Sequence, residues 1–314
     1  MQREYGKGFC HFESPRLAVM LTNALGRLNL EGTVMSKRKL KKLVDLQVVR
    51  GWDDPRLYTL IALRRRGIPP GAILAFISEL GVTTATTTVQ ITRFEQSVRR
   101  YLETSVPRLL LVLNPVPVVI ENIGDLDGQD IRLPLFPKNA EMGSYNVHLT
   151  KTIYIDRADF REEASPEFFR LSPGQTVGLL NAPHPIKATS FAKDPVSGLV
   201  TEIRAVFETE AAKKPKAFIQ WVPEGSRSVE VRIHSPLFKS PNPAAAEGGY
   251  LNDVSPTSET IFPAALVVSS GFDEIRQQAP WPKTAGSEAY GAGPHSVRFQ
   301  AMRVAYLVSS PRPS

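Results

Sequence analysis

Val34-Met35-Ser36-Lys37-Arg38-Lys39-Leu40-Lys41-Lys42 is the stretch on which the interpretation of this 314-residue chain depends. It places five cations within the six residues from Lys37 to Lys42. Cations at this density repel one another unless an anion lies near, so the stretch indicates a polyphosphate or a nucleic-acid backbone as ligand. The alternative is the solvated start of a helix, and the charges taken alone favour that alternative.

The basic character is confined to the front of the chain. Residues 1–110 contain 18 Lys and Arg against 9 Asp and Glu, whereas residues 111–314 contain 20 against 22. A polyanion should therefore bind the first third most strongly.

The single cysteine, Cys10, excludes an internal disulfide and a cysteine-based zinc site, so we expect no metal site and a reducing, cytoplasmic compartment. No apolar run approaches the ~20 residues that cross a bilayer, so we expect no membrane partner.

Three helices are predicted between residues 45 and 103. Their starts are marked by Asp54 as an N-cap, by Pro70, and by Thr87, which has capping-box spacing to Gln90; the first two stop at Gly67 and Gly81. From residue 107 the sequence pattern changes to short segments rich in β-branched residues, separated by turns rich in Pro, Gly, Asn and Asp. This pattern is typical of β-barrels or sandwiches. The predicted strands are 152–155, 176–180, 200–207, 217–222, 229–233, 265–269 and 297–308.

The segments around the basic stretch carry a resemblance to a known family. They are 27–42, which includes the basic stretch, 51–67, which includes Trp52-Asp53-Asp54-Pro55-Arg56, and 70–103, 141–144, 155–162, 218–222 and 296–306. Residues 27–306 resemble the C-terminal part of glutaminyl-tRNA synthetases, which are class I aminoacyl-tRNA synthetases, in their eukaryotic cytosolic form. Glutamyl-tRNA synthetases share the Met-Ser-Lys-Arg-Lys and Trp-Asp-Asp-Pro-Arg elements, so these two elements leave that family open. The segment 72–84 with its following helix is more similar to the glutamine enzymes.

The resemblance implies an α+β multidomain chain. Residues 1–44 would be a remnant of the class I catalytic domain, 45–106 a helical connector, and 107–212 and 213–314 two antiparallel, anticodon-binding β-barrels, the second ending early. Residues 7–26 interrupt the resemblance, and we hypothesise that they are a translated intron. The family's Rossmann half has no counterpart in the sequence. We therefore expect a partial chain that is inactive alone, with a non-catalytic tRNA-binding module as the alternative.

The resemblance also implies the activity and its residues. Family members use ATP, as its Mg complex, to activate glutamine and then charge tRNA-Gln; other synthetases are further candidate partners. Lys37 would be the catalytic lysine that stabilises the ATP phosphates. The ATP contacts would be Arg27, Leu28, Met35, Ser36 and Lys37. The tRNA contacts would be Thr83, Thr84, Thr86, Thr87, Thr88 and Gln90 in a linker, and Arg108, Arg170, Gln300 and Arg303 at the anticodon.

Two of these residues pose a geometric problem. Gln300 and Arg303 are three apart, and on an ideal strand such residues point to opposite faces. They read the same anticodon only if the strand bends, bulges or ends between them.

Overall fold

The computed structural model describes residues 28–81, 85–165, 167–209, 215–283 and 293–310. The chain divides into two compact units, Met1–Leu102 with Ser235–Ser258, and Glu103–His234 with Glu259–Ser314. This division differs from the four successive segments expected from the sequence, because residues 235–258 belong to the first unit. The expected insert 7–26 lies outside the described residues. Among those described, no helix has the length and apolar composition needed to cross a membrane.

The first unit is built from short strands and four helices. In chain order they are β1 (Leu28–Leu30), α1 (Lys37–Asp45), α2 (Leu60–Arg65), α3 (Pro70–Leu80), β2 (Thr87–Val89) and α4 (Ile91–Glu103). β1 and β2 pair in parallel. Phe94, Val98 and Leu102 form the buried stripe of α4, as the spacing of these apolar residues predicts.

Two predicted helix starts are wrong. α2 begins at Leu60 rather than beside Asp54, because the Thr59 hydroxyl caps it by accepting a hydrogen bond from the Ala62 N–H at 3.1 Å. The proposed capping box at Thr87 is replaced by strand β2, and the carbonyl of Gln90 instead accepts from the first turn of α4. Pairing with β1 outweighs the local capping signal at Thr87. The bounds of α3, by contrast, follow the prediction.

The core of the first unit joins distant parts of the sequence. Leu40 and Leu43 are the buried residues of α1, whose other positions are mostly charged. They belong to one apolar cluster with Val49, Leu57, Ala62 and Val34, and with Leu237 and Phe238 from the segment 235–258. The helix that follows the basic stretch is therefore fixed by burial of one face.

The second unit consists mainly of strands. They are β3 (Arg108–Leu109), β4 (Leu111–Val112), β5 (Pro115–Ile120), β6 (Asp130–Pro134), β7 (Ser144–His148), β8 (Thr152–Asp156), β9 (Thr176–Leu179), β10 (Ile186–Lys193), β11 (Val200–Phe207), β12 (Phe218–Ile219), β13 (Val222–Pro223), β14 (Arg227–His234), β15 (Glu259–Val267), β16 (Arg298–Ala301) and β17 (Ala305–Val308), with helix α5 (Ser269–Gln277) between β15 and β16. The largest sheet has the order β12-β9-β10-β11-β5-β8-β13. Smaller sheets are β14-β15-β4, β17-β16-β3 and β6-β7.

The α+β class is confirmed, and the antiparallel assignment holds only in part. β11 with β5, β12 with β9, and β16 with β3 are parallel pairs, so the second unit is a set of mixed sheets. Closure into two barrels stays a prediction. All predicted strands have a counterpart in the structure, whereas β3 to β7 and β10 are not among the predicted strands. The predicted strand 217–222 is divided into β12 and β13, and the predicted strand 297–308 into β16 and β17.

Candidate nucleotide and RNA-binding sites

The Met-Ser-Lys stretch is a short loop that leads directly into α1. Val34 is buried in the core and anchors the loop, whereas Met35 is 39% exposed and Lys37 is exposed. Ser36 is the residue before the helix, and its carbonyl accepts the Leu40 N–H at 2.9 Å. The fold thus fixes the apolar side of the loop and presents Lys37 to solvent.

The first turn of α1 contains Lys37, Arg38 and Lys39 and no acidic residue. A helix N-terminus already carries partial positive charge from its free N–H groups. Three cations at this end therefore work against helix stability and concentrate positive potential. An arrangement of this kind suits a polyphosphate ligand.

A cleft of about 460 Å³ lies beside the loop. Met35, Ser36 and Lys39 line it from the loop, and Thr88 lines it from β2. Residues 241–244 line another side, and the Gly32 N–H donates to the Pro241 carbonyl at 2.6 Å. Among the described residues, Lys39 lines this cleft and Lys37 does not, and the catalytic role of Lys37 stays a prediction.

Sequence reasoning missed the role of the segment 235–258 beside the loop. The Tyr250 hydroxyl donates to the Lys39 carbonyl at 3.4 Å, and the Lys39 ammonium lies over the Tyr250 ring at 5.3 Å from its centroid. These contacts orient the base of the loop. The segment reads as a Pro-rich loop of the second barrel region, and no local signal links it to residue 39.

The predicted linker contacts lie close to one predicted ATP contact. Leu28 pairs in register with Thr87, and the neighbouring Asn29 pairs with Thr88. Thr86 and Gln90 are exposed, like Thr88. Arg27, Thr83 and Thr84 lie outside the described residues, so their roles stay predictions.

Asp54, in the Trp-Asp-Asp-Pro-Arg element, has a structural role. It is fully buried and accepts hydrogen bonds from the backbone N–H groups of Arg50 and Arg56, each at 3.0 Å. The Arg56 guanidinium adds contacts at 2.9 and 2.7 Å. Burial opposes ionisation of Asp54, but these hydrogen bonds and the charge of Arg56 outweigh it and lower its pKa to about 2. Asp54 therefore fixes the loop between Arg50 and Arg56, just before α2.

In the second unit, the strands bring two predicted anticodon contacts together. Gln300 on β16 lies opposite Arg108 on β3, and the Gln300 N–H donates to the Pro107 carbonyl at 2.8 Å. The Arg108 guanidinium lies 4.7 Å from the Phe136 ring centroid, and its Nε is buried without a hydrogen-bond partner among the described residues. Arg108 thus has a held position and unused donor capacity.

The geometric problem of Gln300 and Arg303 is resolved by the end of a strand. β16 stops at Ala301, and Arg303 lies in the turn before β17 with a φ of +61°. That left-handed backbone redirects the side chain, whose Nη1 donates to the carbonyl of Phe218. The strand ends between the two residues, as their joint role requires.

Arg170 forms an ion pair with the buried carboxylate of Asp159, on which the charge of Arg303 also acts. The Nη1 of Arg170 lies 2.9 Å from the Oδ1 of Asp159 and also donates to the Ala158 carbonyl at 3.2 Å. Burial raises the pKa of Asp159, while the positive charges of Arg170 and Arg303 act in the opposite direction. We call Arg108, Arg170, Gln300 and Arg303 the arginine patch.

Comparisons with known proteins agree with this layout. Residues 17–104 match the family described as tRNA synthetases class I (E and Q), catalytic domain, and residues 106–208 match its anti-codon binding domain. A glutamine–tRNA ligase of Hypocrea virens is 61% identical over 282 residues, which is 90% of this chain and 43% of that protein. The chain belongs to the glutamine branch of the class I tRNA synthetases.

Two further relatives of this synthetase family give the same result. A probable glutamine–tRNA ligase of Schizosaccharomyces pombe is 50% identical and the glutamine–tRNA ligase of Saccharomyces cerevisiae is 44% identical, each over 90% of this chain. The chain spans 36% and 37% of the length of these two ligases. Within the family match, Lys37 falls in the catalytic-domain segment, and Arg108 and Arg170 fall in the anticodon-binding segment.

Proposed function

We propose that the chain serves the ATP-dependent charging of tRNA-Gln with glutamine, as the portion of a glutamine–tRNA ligase that carries the Met-Ser-Lys loop and the anticodon-binding sheets. The observation that carries the proposal is the arginine patch, which draws on three distant regions of the sequence: Gln300 pairs with Arg108 across two strands, and the charges of Arg170 and Arg303 both act on Asp159. Its sheets would be the two anticodon-binding barrels. One plant relative is named a cytoplasmic glutamine–tRNA ligase, which supports the cytoplasm as location.

The arginine patch suits recognition of unpaired RNA bases. A guanidinium presents a planar fork of N–H donors, which meets base edges in bidentate fashion. Backbone carbonyls and Asp159 hold Arg170 and Arg303 in place, so less side-chain freedom is lost on binding. Each such contact contributes about 1–3 kcal/mol by analogy with DNA readout.

The loop at α1 suits the phosphates of ATP. Lys37 and Arg38 are exposed in the first helical turn and can approach a polyphosphate without leaving a buried partner. The described residues contain no group of three His, Cys, Asp or Glu able to hold a metal ion. In the proposed reaction Mg²⁺ arrives as the ATP complex, and glutamine is the amino acid that is activated.

RNA binding by the full chain tests the arginine patch. The probe is a labelled anticodon stem-loop of tRNA-Gln, with its anticodon-substituted versions as competitors, measured by fluorescence anisotropy. We expect Arg303→Ala to weaken binding about 10- to 100-fold and to reduce discrimination among the competitors. Arg276→Ala, at an exposed arginine in the last turn of α5, is the matched control and should change the affinity less than about twofold. Equal binding of every anticodon by the wild-type chain would overturn anticodon readout.

A non-catalytic tRNA-binding module is the second candidate function. It is favoured by the limited catalytic match, which covers residues 17–104. Charging of tRNA-Gln with labelled glutamine and ATP by the purified chain tests the expected inactivity of the chain alone. Turnover that Lys37→Ala abolishes would show that the chain is a ligase by itself and would defeat the non-catalytic module, whereas specific binding without turnover agrees with both the partial ligase and the module.

A further inference from the structure

Phe218 is an exposed aromatic residue on the edge of the largest sheet. It lies on β12, which pairs in parallel with β9 and is the last strand in the sheet order. Its residue surface is 46% exposed, although large apolar residues in strands usually face a core. The next residue, Ile219, is fully buried and fixes β12 against the sheet.

The Phe218 ring rests on a glycine. Phe218 pairs in register with Gly178 on β9, and a methyl group at Gly178 would come within 2.4 Å of the ring. Gly178 thus leaves room for the ring to lie against the strand backbone. One side of the ring is held by this contact, and the open side accounts for its exposure.

The backbone of Phe218 is tied to one residue of the arginine patch. The Phe218 carbonyl accepts a hydrogen bond from Arg303, whose charge also acts on Asp159, the partner of Arg170. The backbone of Phe218 and the guanidinium of Arg303 therefore position each other. An exposed aromatic residue whose backbone holds an exposed arginine suits a splayed RNA base, because the ring is available for stacking and the guanidinium for edge contacts.

The Phe218 ring could instead have a purely structural role, which is to cover the backbone at Gly178. An aromatic ring over a strand glycine can stabilise a sheet without any ligand. That role needs only the held side of the ring and gives the open side no function. The hydrogen bond from Arg303 does not separate the two explanations, because every residue type supplies a backbone carbonyl. Leucine would cover the glycine as well but has no aromatic face, so the two explanations can be separated.

We propose that Phe218 is the stacking platform for one unpaired base of the bound RNA loop. The proposal rests on the RNA-binding function proposed above and adds a residue to it. Arg303 would meet the edge of a base while the open face of Phe218 covers a base plane. Since every base has such a face, Phe218 would contribute affinity and order rather than choice of base.

The test uses the full chain and anticodon stem-loop RNAs that carry 2-aminopurine at one loop position at a time. We expect one position to change its fluorescence on binding to the wild-type chain. Phe218→Leu should remove that change and weaken the affinity about tenfold, whereas Phe218→Tyr should keep both within about twofold. Thermal unfolding of each variant checks that the fold is retained.

Phe169→Leu is the matched control. Phe169 is 45% exposed, but the Lys216 ammonium already lies over its ring at 5.2 Å from the centroid. Its replacement should change the affinity less than Phe218→Leu. An equal loss at both positions, or wild-type affinity with an intact fluorescence change in Phe218→Leu, overturns the stacking role. If binding still depends on Arg303 in that case, only this inference fails; absence of wild-type binding defeats the proposed function as well.

Discussion

Two buried aspartates, one in each unit, hold arginines and differ in how completely they are bonded. The oxygens of Asp54 accept from the backbone N–H groups of Arg50 and Arg56 and from the Arg56 guanidinium. Within the described part of the chain, the carboxylate of Asp159 has one direct contact, the ion pair with Arg170 at 2.9 Å. Arg303 contributes a second nearby positive charge.

The pKa values of the two carboxyl groups move in opposite directions as a result. Burial penalises the charged form of both, but hydrogen bonds prevail at Asp54 and lower its pKa to about 2, whereas burial prevails at Asp159 and raises its pKa. The Arg56 guanidinium donates two hydrogen bonds to Asp54 and is itself nearly buried. Arg170 remains 40% exposed and keeps donors available to a ligand. The same two residue types thus fix structure in one unit and, in the other, orient arginines that we propose to bind RNA.

The largest effect that separates the two carboxylates should be on stability. Asp54→Asn leaves the charge of Arg56 uncompensated in a buried site and should cost about 3–5 kcal/mol of unfolding free energy. Asp159→Asn leaves Arg170 partly solvated and should cost less than about 1 kcal/mol. Urea unfolding followed by tryptophan fluorescence measures both. Equal losses of unfolding free energy in the two variants would show that the extra hydrogen bonds of Asp54 do not contribute to stability.

The pH dependence of stability should differ in sign. The folded pKa of Asp54, about 2, lies below its ordinary value of 3.8. Its contribution, about 2 kcal/mol, is therefore complete above pH 3.8 and is lost as the pH falls towards 2. The raised pKa of Asp159 has the opposite consequence, a contribution present below 3.8 and lost as the pH rises through the folded value. Unfolding free energies of the wild type and the two Asn variants, compared from about pH 2 to pH 6, measure each contribution. A constant difference across that range would contradict the assignment.

The two units also differ in how far the sequence predicts them. The Met-Ser-Lys loop is contiguous, so its charge density and its position at a helix start can be inferred from nine residues. The start of α2 could not be inferred, because Asp54 is an equally good cap by residue type and its carboxylate is committed to Arg56. The pairing of β2 with β1 is likewise set by a partner that is distant in sequence.

The arginine patch could be predicted only through the family resemblance. Arg108, Arg170 and Arg303 are each unremarkable locally, and their positions depend on a strand pairing with Gln300, on the carboxylate of Asp159 and on a turn after β16. Sequence patterns do indicate that Gln300 and Arg303 need a strand end between them, and β16 ends there. They do not indicate Phe218, because its exposure depends on its pairing with Gly178.

The smallest effect should distinguish stabilising from binding charges within a single helix. Lys37 begins α1 and Lys42 lies in its last turn, and both are exposed. A cation is unfavourable near the partial positive charge of the helix N-terminus and favourable near the C-terminus. Lys37→Ala should therefore raise the unfolding free energy by about 0.3–1 kcal/mol at low ionic strength. Lys42→Ala should leave the chain less stable than Lys37→Ala by a similar amount. Because both variants exchange Lys for Ala, the change in helix propensity largely cancels in their difference. Urea unfolding at low and at about 1 M salt measures that difference, which should shrink with screening. If Lys37→Ala is destabilising at low salt, Lys37 makes a stabilising contact. That result would contradict the idea that Lys37 lowers helix stability and is placed there to bind phosphate.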